Sequence, residues 1–412
     1  MTKYCAVILA DRDGKTFRSQ YPQALAQVVS EPLAWWAVNS CRKAGAEEIV
    51  LVTGRLFEET AVPENDAFTS AADLAEAAQL AGRNDGENVW LMTCTRPLLS
   101  GEMLRKLGDF MEAQGAQAAD LADSGIMCIK KEVFCKLAPQ MQGADTEKIK
   151  ELLAESGIAL LSLPVEDRER EQLREAASCR DLMELTEKLS RRRAYELMDE
   201  GVRFTSLDGV LVSPRASVGA DTVIHSGTHL LGQVTIGSDC RIGPSTIIEN
   251  STVGSGTMIH SSFVEDSQVG SGVRLGPNSH LRPKSVLKDN VKIGNFVEVK
   301  NSTLGEKTSV AHLTYIGDSD FGSHINVGCG VVCVNYNGYT KARTVVEDDA
   351  FIGCNTNLIA PVTVRKGAYT AAGSTITDEV PEDAMGIARA RQVNKEGWAA
   401  GHRQKYSHLK KK

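Results

Sequence analysis

The sequence predicts an α/β domain followed by a parallel β-helix of hexapeptide repeats, and two different periodicities along the chain support this prediction. Over about the first 165 residues, short β-rich runs alternate with helical stretches, which is typical of a mostly parallel sheet covered by helices. From residue 206 onward, apolar residues recur at every sixth position. Neither a helix, with about 3.6 residues per turn, nor a flat strand, with a period of about two, gives that spacing.

The front part of the chain has the composition of alternating strands and helices. Helices are predicted over 32–44 and 146–156, because both have start and stop residues at their ends. A polar stretch over 181–200 ends at Gly201 and is predicted to be a connecting helix, with Arg191–Arg193 facing solvent rather than binding an anion. Strands are predicted over 3–10, 48–53, 89–93, 125–130 and 158–165.

The six-residue spacing persists through three runs of apolar residues. The first runs from Val212 to Ile248 and the second from Phe263 to Val299, while the third runs from Leu304 to Ile376 with a break after Ile316. A coil made of three short strands of six residues directs every sixth side chain inward. We therefore expect a solenoid of about ten coils between residues 206 and 380.

Composition and charge exclude several functional classes. With 53 acidic and 46 basic residues, the net charge is −7, which argues against nucleic acid as a partner. No apolar run approaches the length of a membrane span, and the first run, 5–10, is followed directly by charged residues. The ten cysteines form no C-x-x-C pair, so neither zinc nor a disulfide framework is indicated. We expect a cytoplasmic protein with reduced thiols.

The repeat resembles the left-handed β-helix of acyl- and acetyltransferases, and six motifs make the resemblance more specific. They are LRPKS (281–285), GNFVEVK (294–300), AHLTYIGD (311–318), NVGCG (326–330), NYNGYTKART (335–344) and APVTV (360–364). In this order they resemble the C-terminal half of the bifunctional GlmU family, which acetylates glucosamine-1-phosphate and uridylylates the product to UDP-N-acetylglucosamine. The resemblance implies a homotrimer, with acetyl-CoA as co-substrate.

The resemblance also implies roles for individual residues. Acetyl transfer to an amine needs a base, donors for the developing oxyanion, and charge for an anionic acceptor. His312 matches the family's general base. Residues that match the acceptor-sugar and phosphate contacts are Arg282, Lys300, Tyr315, Asn326 and Lys341. Residues that match the coenzyme A pocket are Cys329, Asn335, Tyr336, Cys354, Ala372 and Arg389.

This half departs from the family pattern at three places. Cys329 replaces an Ala beside coenzyme A, and Cys354 replaces a Ser whose hydroxyl faces the thioester. Residues 388–392 are ARARQ instead of S-R-V-P-Q. Because a thiol donates a weaker hydrogen bond than a hydroxyl, oxyanion support at Cys354 should be reduced.

The front domain resembles the family's Rossmann-like nucleotidyltransferase half in outline only, and it is shorter. Residues 9–16 are LADRDGKT where the family has L-A-A-G-x-G-T-R, and Gln23 replaces a phosphate-binding Lys. Thr95 stands where the family has a magnesium-binding Asp, and the second metal ligand, an Asn, aligns with Ser178 or Cys179. A magnesium ion bridging phosphates needs an anionic oxygen from the protein. We therefore predict no metal site.

These observations predict a degenerate nucleotidyltransferase-like domain over 1–180, a linker helix over 181–205, an acetyltransferase β-helix over 206–385 and a tail over 386–412. The predicted function is acetyl-CoA-dependent N-acetylation of glucosamine-1-phosphate, with uridylyl transfer lost. Two alternatives remain open. One is a full bifunctional enzyme that also uses UTP, and the other is a non-catalytic sensor of sugar nucleotides.

Overall fold

A computed structural model describes residues 2–10, 14–53, 62, 67–83, 85–122, 124–141, 143 and 145–409. Asp11, Arg12 and Asp13 of the segment aligned with the family's L-A-A-G-x-G-T-R motif lie outside the described residues. The chain divides into two compact units. One consists of Met1–Val218 and Ser226–Val234, and the other of Gly219–His225 and Thr235–Lys412.

The first unit contains a seven-stranded sheet flanked by helices. Its strands are β1 (Tyr4–Leu9), β4 (Glu48–Val52), β5 (Thr69–Ala71), β6 (Asn88–Thr93), β7 (Ala118–Leu121), β8 (Met127–Lys130) and β9 (Leu160–Leu163). Two further strands, β2 (Gln27–Val28) and β3 (Glu31–Pro32), form a separate antiparallel pair. The helices are α1 (Leu33–Ala44), α2 (Leu74–Gly82), α3 (Gly101–Ala113), α4 (Lys131–Leu137), α5 (Thr146–Glu155) and α6 (Cys179–Asp199). The sheet order is β5-β4-β1-β6-β8-β7-β9. Because only β8 runs antiparallel to its neighbours, the predicted mostly parallel sheet is confirmed.

Side chains of β1 alternate between two apolar cores, one on each face of the sheet. Ala6 and Ile8 pack in the core that includes residues of α1, α3 and α6. Val7 and Leu9 pack in the core that includes residues of α2, α4 and α5. This alternation follows from the period of a strand, and it produces a sheet covered on both faces. Strands β5 and β7 were not predicted, because their short TSA and AADL segments contain one β-branched residue, Thr69, and no aromatic residue.

Helix α6 starts two residues before the predicted boundary. The Ser178 hydroxyl accepts a hydrogen bond from the Asp181 N–H at 3.2 Å, so Ser178 is the N-cap. The prediction that all three arginines face solvent was wrong for Arg193. Its guanidinium donates to the Ala216 carbonyl at 3.0 Å and pairs with Glu196. Arg193 therefore ties α6 to the first coil of the solenoid.

The remaining strands form the coils of the β-helix. They are β10 (Arg203–Phe204), β11 (Leu211–Val212), β12 (Ser217–Val218), β13 (Val223–Ile224), β14 (His229–Leu231), β15 (Thr235–Ile236), β16 (Arg241–Ile242), β17 (Ile247–Glu249), β18 (Thr252–Val253), β19 (Met258–Ile259), β20 (Phe263–Glu265), β21 (Gln268–Val269), β22 (Arg274–Leu275), β23 (His280–Leu281), β24 (Val286–Leu287), β25 (Lys292–Lys300), β26 (Thr303–Leu304), β27 (Ser309–Gly317), β28 (Ser319–Phe321), β29 (Asn326–Val327), β30 (Val332–Val334), β31 (Thr344–Val346), β32 (Phe351–Ile352), β33 (Asn357–Ile359), β34 (Val362–Val364), β35 (Tyr369–Thr370), β36 (Thr375–Ile376) and β37 (Met385–Gly386). Nine of them, from β12 to β34, stack into one parallel sheet, and the others form a second, 19-stranded ladder.

The predicted inward positions are buried, with one exception. Phe263 was predicted to point inward, but it is only partly buried, and its neighbour Val264 is 0% exposed. The buried residues step by five rather than six from Ile259 to Val264 and again to Val269, because the turns there are one residue shorter. Phe263 instead stacks on His280, with ring centroids 4.8 Å apart.

The predicted tail contains one further helix, α7 (Trp398–Tyr406), whose residues are all exposed. Among the described residues, no helix is long and apolar enough to cross a membrane.

Candidate functional site

The strand register stacks His312 with three of the predicted coenzyme residues at one corner of the β-helix. The buried residues Val310, Val327, Ile352 and Thr370 are register partners in successive coils. Residues two positions further along therefore stack in the same order, about 4.8 Å apart per coil. We call this column the His312 corner; its members are His312, Cys329, Cys354 and Ala372.

The His312 side chain is exposed at this corner, at the edge of a groove. The groove has a volume of about 350 Å³, and its lining includes Asn295, Ala311 and the cations Arg274 and Lys292. Among the described residues, the imidazole has no hydrogen-bonding or ion-pairing partner. A neutral imidazole in this position can accept a proton from a bound substrate.

Three cations that were predicted to contact the acceptor sugar or its phosphate approach one another. We call Arg282, Lys300 and Lys341 the cation cluster. Arg282 and Lys300 directly follow the register partners Leu281 and Val299, so they lie on successive coils. Lys341 comes from the loop after β30. Its charge, followed by that of Arg282, lowers the pKa of Lys300, because like charges disfavour the protonated form.

Asp318, a residue that the sequence analysis did not assign, lies beside the cation cluster. It is 6% exposed and accepts hydrogen bonds of 2.5 Å from the amides of Asn301 and Asn335. Burial acts to raise the pKa of Asp318, but these hydrogen bonds and the charges of Lys341 and Lys300 outweigh burial, and the net pKa is lowered. Asp318 is therefore a carboxylate that holds Asn335 in place.

Tyr315 lies beside Arg282 of the cation cluster, on the strand that also carries His312. It lies three residues after His312 on β27, and its hydroxyl is 3.5 Å from the Asn335 amide nitrogen. In the adjacent coil its register partner is Glu298. Glu298 accepts a 2.7 Å hydrogen bond from Arg282 and thereby raises the pKa of that guanidinium. The sequence analysis missed Glu298 and Asp318, although both lie inside the GNFVEVK and AHLTYIGD motifs.

Three further predicted site residues belong neither to the cation cluster nor to the His312 corner, although Tyr336 is a bridge partner of Lys341. Asn326 precedes the buried Val327 and is a register partner of Ser309, on the face before the His312 corner. The exposed Tyr336 donates its hydroxyl to the Gly338 carbonyl at 2.6 Å. Arg389 follows the last strand and approaches Gly373 in the turn after β35.

In the first unit, Thr95 is enclosed by its own neighbours. It is 1% exposed, and its hydroxyl lies 3.0 Å from Glu175 and 3.0 Å from the Thr93 hydroxyl. Arg96 pairs with the same carboxylate at 3.1 Å and also binds the Leu173 carbonyl. We call Thr95, Arg96 and Glu175 the Thr95 site.

The other residues aligned with the family's nucleotide and metal ligands are buried or contact neighbouring residues of the same unit. Gln23 is buried, at 6% exposed. Ser178 caps α6, and the Cys179 thiol lies 3.7 Å from the Phe17 carbonyl. Within the described part of the chain, no group of three or more His, Cys, Asp or Glu side chains could hold a metal ion.

An α/β unit followed by a hexapeptide β-helix with a cationic site defines a hexapeptide-repeat transferase. The bacterial transferase hexapeptide family (six repeats) matches residues 215–250 and 266–301. The chain is 37% identical to the bifunctional protein GlmU of Halalkalibacterium halodurans, over 96% of this chain and 98% of that protein. The bifunctional protein GlmU of an Exiguobacterium species is also 37% identical, over 95% and 98%. The chain therefore belongs to the GlmU family.

The length of one of these alignments and one solved structure add two further facts. The alignment with the Halalkalibacterium protein spans 458 positions, more than the 412 residues of the chain, so that relative contains residues that this chain lacks. A solved nucleotidyl transferase from Methanothermobacter thermautotroptrophicus covers 47% of this chain at 16% identity and a TM-score of 0.39, a likeness too distant to bear on function.

Proposed function

We propose that this protein transfers the acetyl group of acetyl-CoA to the amine of glucosamine-1-phosphate, and that it has lost uridylyl transfer. The observation that carries the proposal is the cation cluster, which lies beside Asp318 and beside Tyr315, a residue of the strand that also carries His312. The family membership supports the same assignment, because the acetylation of this amino-sugar phosphate is the activity that the GlmU resemblance implies.

The cation cluster suits the phosphate end of the acceptor. Arg282 offers a planar fork of donors, and Lys300 and Lys341 supply two point charges. The mutual repulsion that lowers the pKa of Lys300 is relieved when an anion binds, so an anionic ligand gains affinity from an arrangement that is unfavourable when empty. Tyr315 adds a neutral donor between the phosphate and His312.

His312 is proposed to act as the general base for the amine. Acetyl-CoA supplies an activated acetyl group, and the acceptor amine must lose a proton as it attacks the carbonyl carbon. The exposed imidazole, without a partner among the described residues, is free to take that proton. One N–H of the Asn335 amide is held by Asp318, and its second, only weakly engaged by Tyr315 at 3.5 Å, is available to the developing oxyanion.

The remaining assignments follow the stacking of coils. Cys329, Cys354 and Ala372 continue the His312 corner toward the C terminus, and Arg389 follows that direction, with a charge suited to the coenzyme's phosphates. Asn326 lies on a different face within one chain. Its separation supports a proposed homotrimer in which neighbouring subunits complete each site.

The Thr95 site supports the loss of uridylyl transfer. A magnesium ion prefers anionic oxygen ligands, yet Thr95 offers a hydroxyl that already lies in contact with Thr93 and Glu175. The one carboxylate there, Glu175, is neutralised by Arg96 at 3.1 Å. The residues present therefore do not fit magnesium, and we derive no step through the metal.

The name of the relatives favours a second candidate, the full bifunctional enzyme. They are called bifunctional proteins, and this chain covers 98% of their length. The two candidates separate in one assay, because only the bifunctional enzyme releases pyrophosphate from UTP and N-acetylglucosamine-1-phosphate in a magnesium-dependent reaction.

Acetyl transfer itself is tested by coenzyme A release with a series of amino-sugar phosphates. We expect turnover with glucosamine-1-phosphate and much less with glucosamine, which lacks the phosphate. Binding of sugar phosphates without any turnover would support a sensor and contradict the proposal.

A further inference from the structure

Two of the four residues at the His312 corner are cysteines on successive coils. Their coils are in register through Val327 and Ile352, and the Asn355 N–H donates to the Cys329 carbonyl at 2.7 Å. A Cβ built on Gly328 would lie 2.5 Å from the Cys354 nitrogen. The two backbones therefore touch, and the Cα atoms of Cys329 and Cys354 are separated by about one strand spacing, 4.8 Å. Disulfides join Cα atoms about 4.4–6.8 Å apart.

Both thiols lie in turns and differ in their access to solvent. Strand β29 ends at Val327 and β32 ends at Ile352, so each cysteine lies outside the paired strands. Cys354 is exposed and Cys329 is half-buried, whereas Cys333 on the same coil as Cys329 is buried. A dissolved reagent thus meets Cys354 first, and Cys329 is the neighbouring thiol.

We propose that Cys329 and Cys354 are a redox-active pair that a small-molecule disulfide converts to an intramolecular disulfide. The Cys354 thiolate attacks one sulfur of the reagent, which forms a mixed disulfide and releases one thiolate. The Cys329 thiolate then attacks the Cys354 sulfur and expels the second thiolate. The protein loses two electrons and two protons, and the reagent is reduced to two thiols.

The consequence for activity rests on the proposed function. If coenzyme A lies along the His312 corner, a bond between Cys329 and Cys354 changes the surface against which it binds. Oxidation should therefore weaken coenzyme A binding by about tenfold or more, and dithiothreitol should restore it.

The experiment treats the full-length protein with oxidised glutathione and maps the cysteines by mass spectrometry. We expect a peptide pair linked through Cys329 and Cys354, with Cys333 unmodified. In Cys329→Ala the resolving thiol is missing, so Cys354 should retain one glutathione. Cys354→Ser should leave Cys329 largely unmodified. Cys179→Ser, which changes an exposed thiol in the other unit, should not affect formation of the link.

Each outcome supports or overturns the redox pair of Cys329 and Cys354. A failure of the pair can be distinguished from a failure of the proposed function. Separate glutathione adducts on Cys329 and Cys354, or no reaction at either, would overturn the proposal. A disulfide that forms in a protein that neither binds coenzyme A nor transfers acetyl groups would refute the proposed function while the redox pair stands.

Discussion

The cation cluster and the Thr95 site both contain charged side chains, but the positive charge is balanced differently in the two sites. In the cation cluster, Lys300 and Lys341 repel each other, and Lys300 has a lowered pKa as a result. In the Thr95 site, Arg96 is paired with Glu175, and the Thr95 hydroxyl is buried among partners. Arg282 is itself paired with Glu298 at 2.7 Å, but Lys300 and Lys341 together exceed the single charge of Asp318, and this excess suits an anion from outside. The ion pair of Arg96 and Glu175 leaves no such excess within the Thr95 site.

We expect the largest effect of a substitution on acetyl transfer at the His312 corner. His312→Ala should lower kcat for acetyl transfer by about 10²–10⁴, because a positioned base contributes that order to the rate. The matched control is His324→Ala, an exposed histidine near Asp349 at 3.8 Å, which should stay close to wild type. A His312→Ala enzyme with near wild-type kcat at saturating substrates would remove the base from the mechanism.

The next effect concerns substrate affinity in the cation cluster. Arg282→Ala should raise KM for glucosamine-1-phosphate by about tenfold or more while lowering kcat less, because a charge-assisted hydrogen bond to phosphate is lost. Arg365→Ala is the control, since Arg365 also follows a buried coil position and pairs with Glu347 at 2.8 Å. Equal KM values for the two variants would mean that Arg282 does not contact the phosphate.

A smaller effect is expected on stability, with a defined pH dependence. Asp318→Asn should cost about 1–3 kcal/mol of unfolding free energy at pH 7, because the new amide faces those of Asn301 and Asn335. The pKa of Asp318 is lowered in the folded state, so the carboxylate stabilises the protein above its unfolded pKa, about 3.9.

This stabilisation is lost as the pH falls through the folded-state pKa. Urea unfolding of wild type and Asp318→Asn at pH 7 and below pH 4 should therefore show a gap that narrows in acid. Asp320→Asn, at an exposed pair with Arg343, should change stability little at either pH. A gap for Asp318→Asn that is independent of pH would contradict the assigned charge state.

The smallest effect on acetyl transfer is expected in the front unit. Thr95→Asp restores the acidic residue that the family has, yet it adds a buried carboxylate beside Glu175. We expect a lower thermal midpoint, no magnesium-dependent pyrophosphate release, and kcat for acetyl transfer within about twofold of wild type. Uridylyl transfer gained by this single change would show that the rest of that site is intact.

The fold was predictable from the sequence because burial in a β-helix follows a simple period. The prediction failed at Phe263. A constant period of six requires turns of equal length, but the turns on either side of Val264 are one residue shorter. Strands β5 and β7 were missed because their pairing comes from the sheet around them rather than from their own composition.

The candidate site was predictable only where family motifs mark it. His312 and the cation cluster were assigned through the motifs. The strand register then places Arg282 and Lys300 on successive coils and His312 on the next coil, opposite Asn295. Asp318 and Glu298 were missed because their roles depend on contacts between coils, which sequence spacing within one motif does not reveal. The pairing of Cys329 with Cys354 likewise appears only when the register is known, since a loop of irregular length separates them.

The most direct test of the contrast between the two sites is to run both half-reactions on one preparation of the full-length protein. Coenzyme A release is measured with acetyl-CoA and glucosamine-1-phosphate, and pyrophosphate release with UTP, magnesium and N-acetylglucosamine-1-phosphate. We expect the rate of coenzyme A release to be well above the uncatalysed rate. We expect the rate of pyrophosphate release to be no higher than the rate without enzyme. Magnesium-dependent pyrophosphate release, or the absence of coenzyme A release, would contradict these expectations.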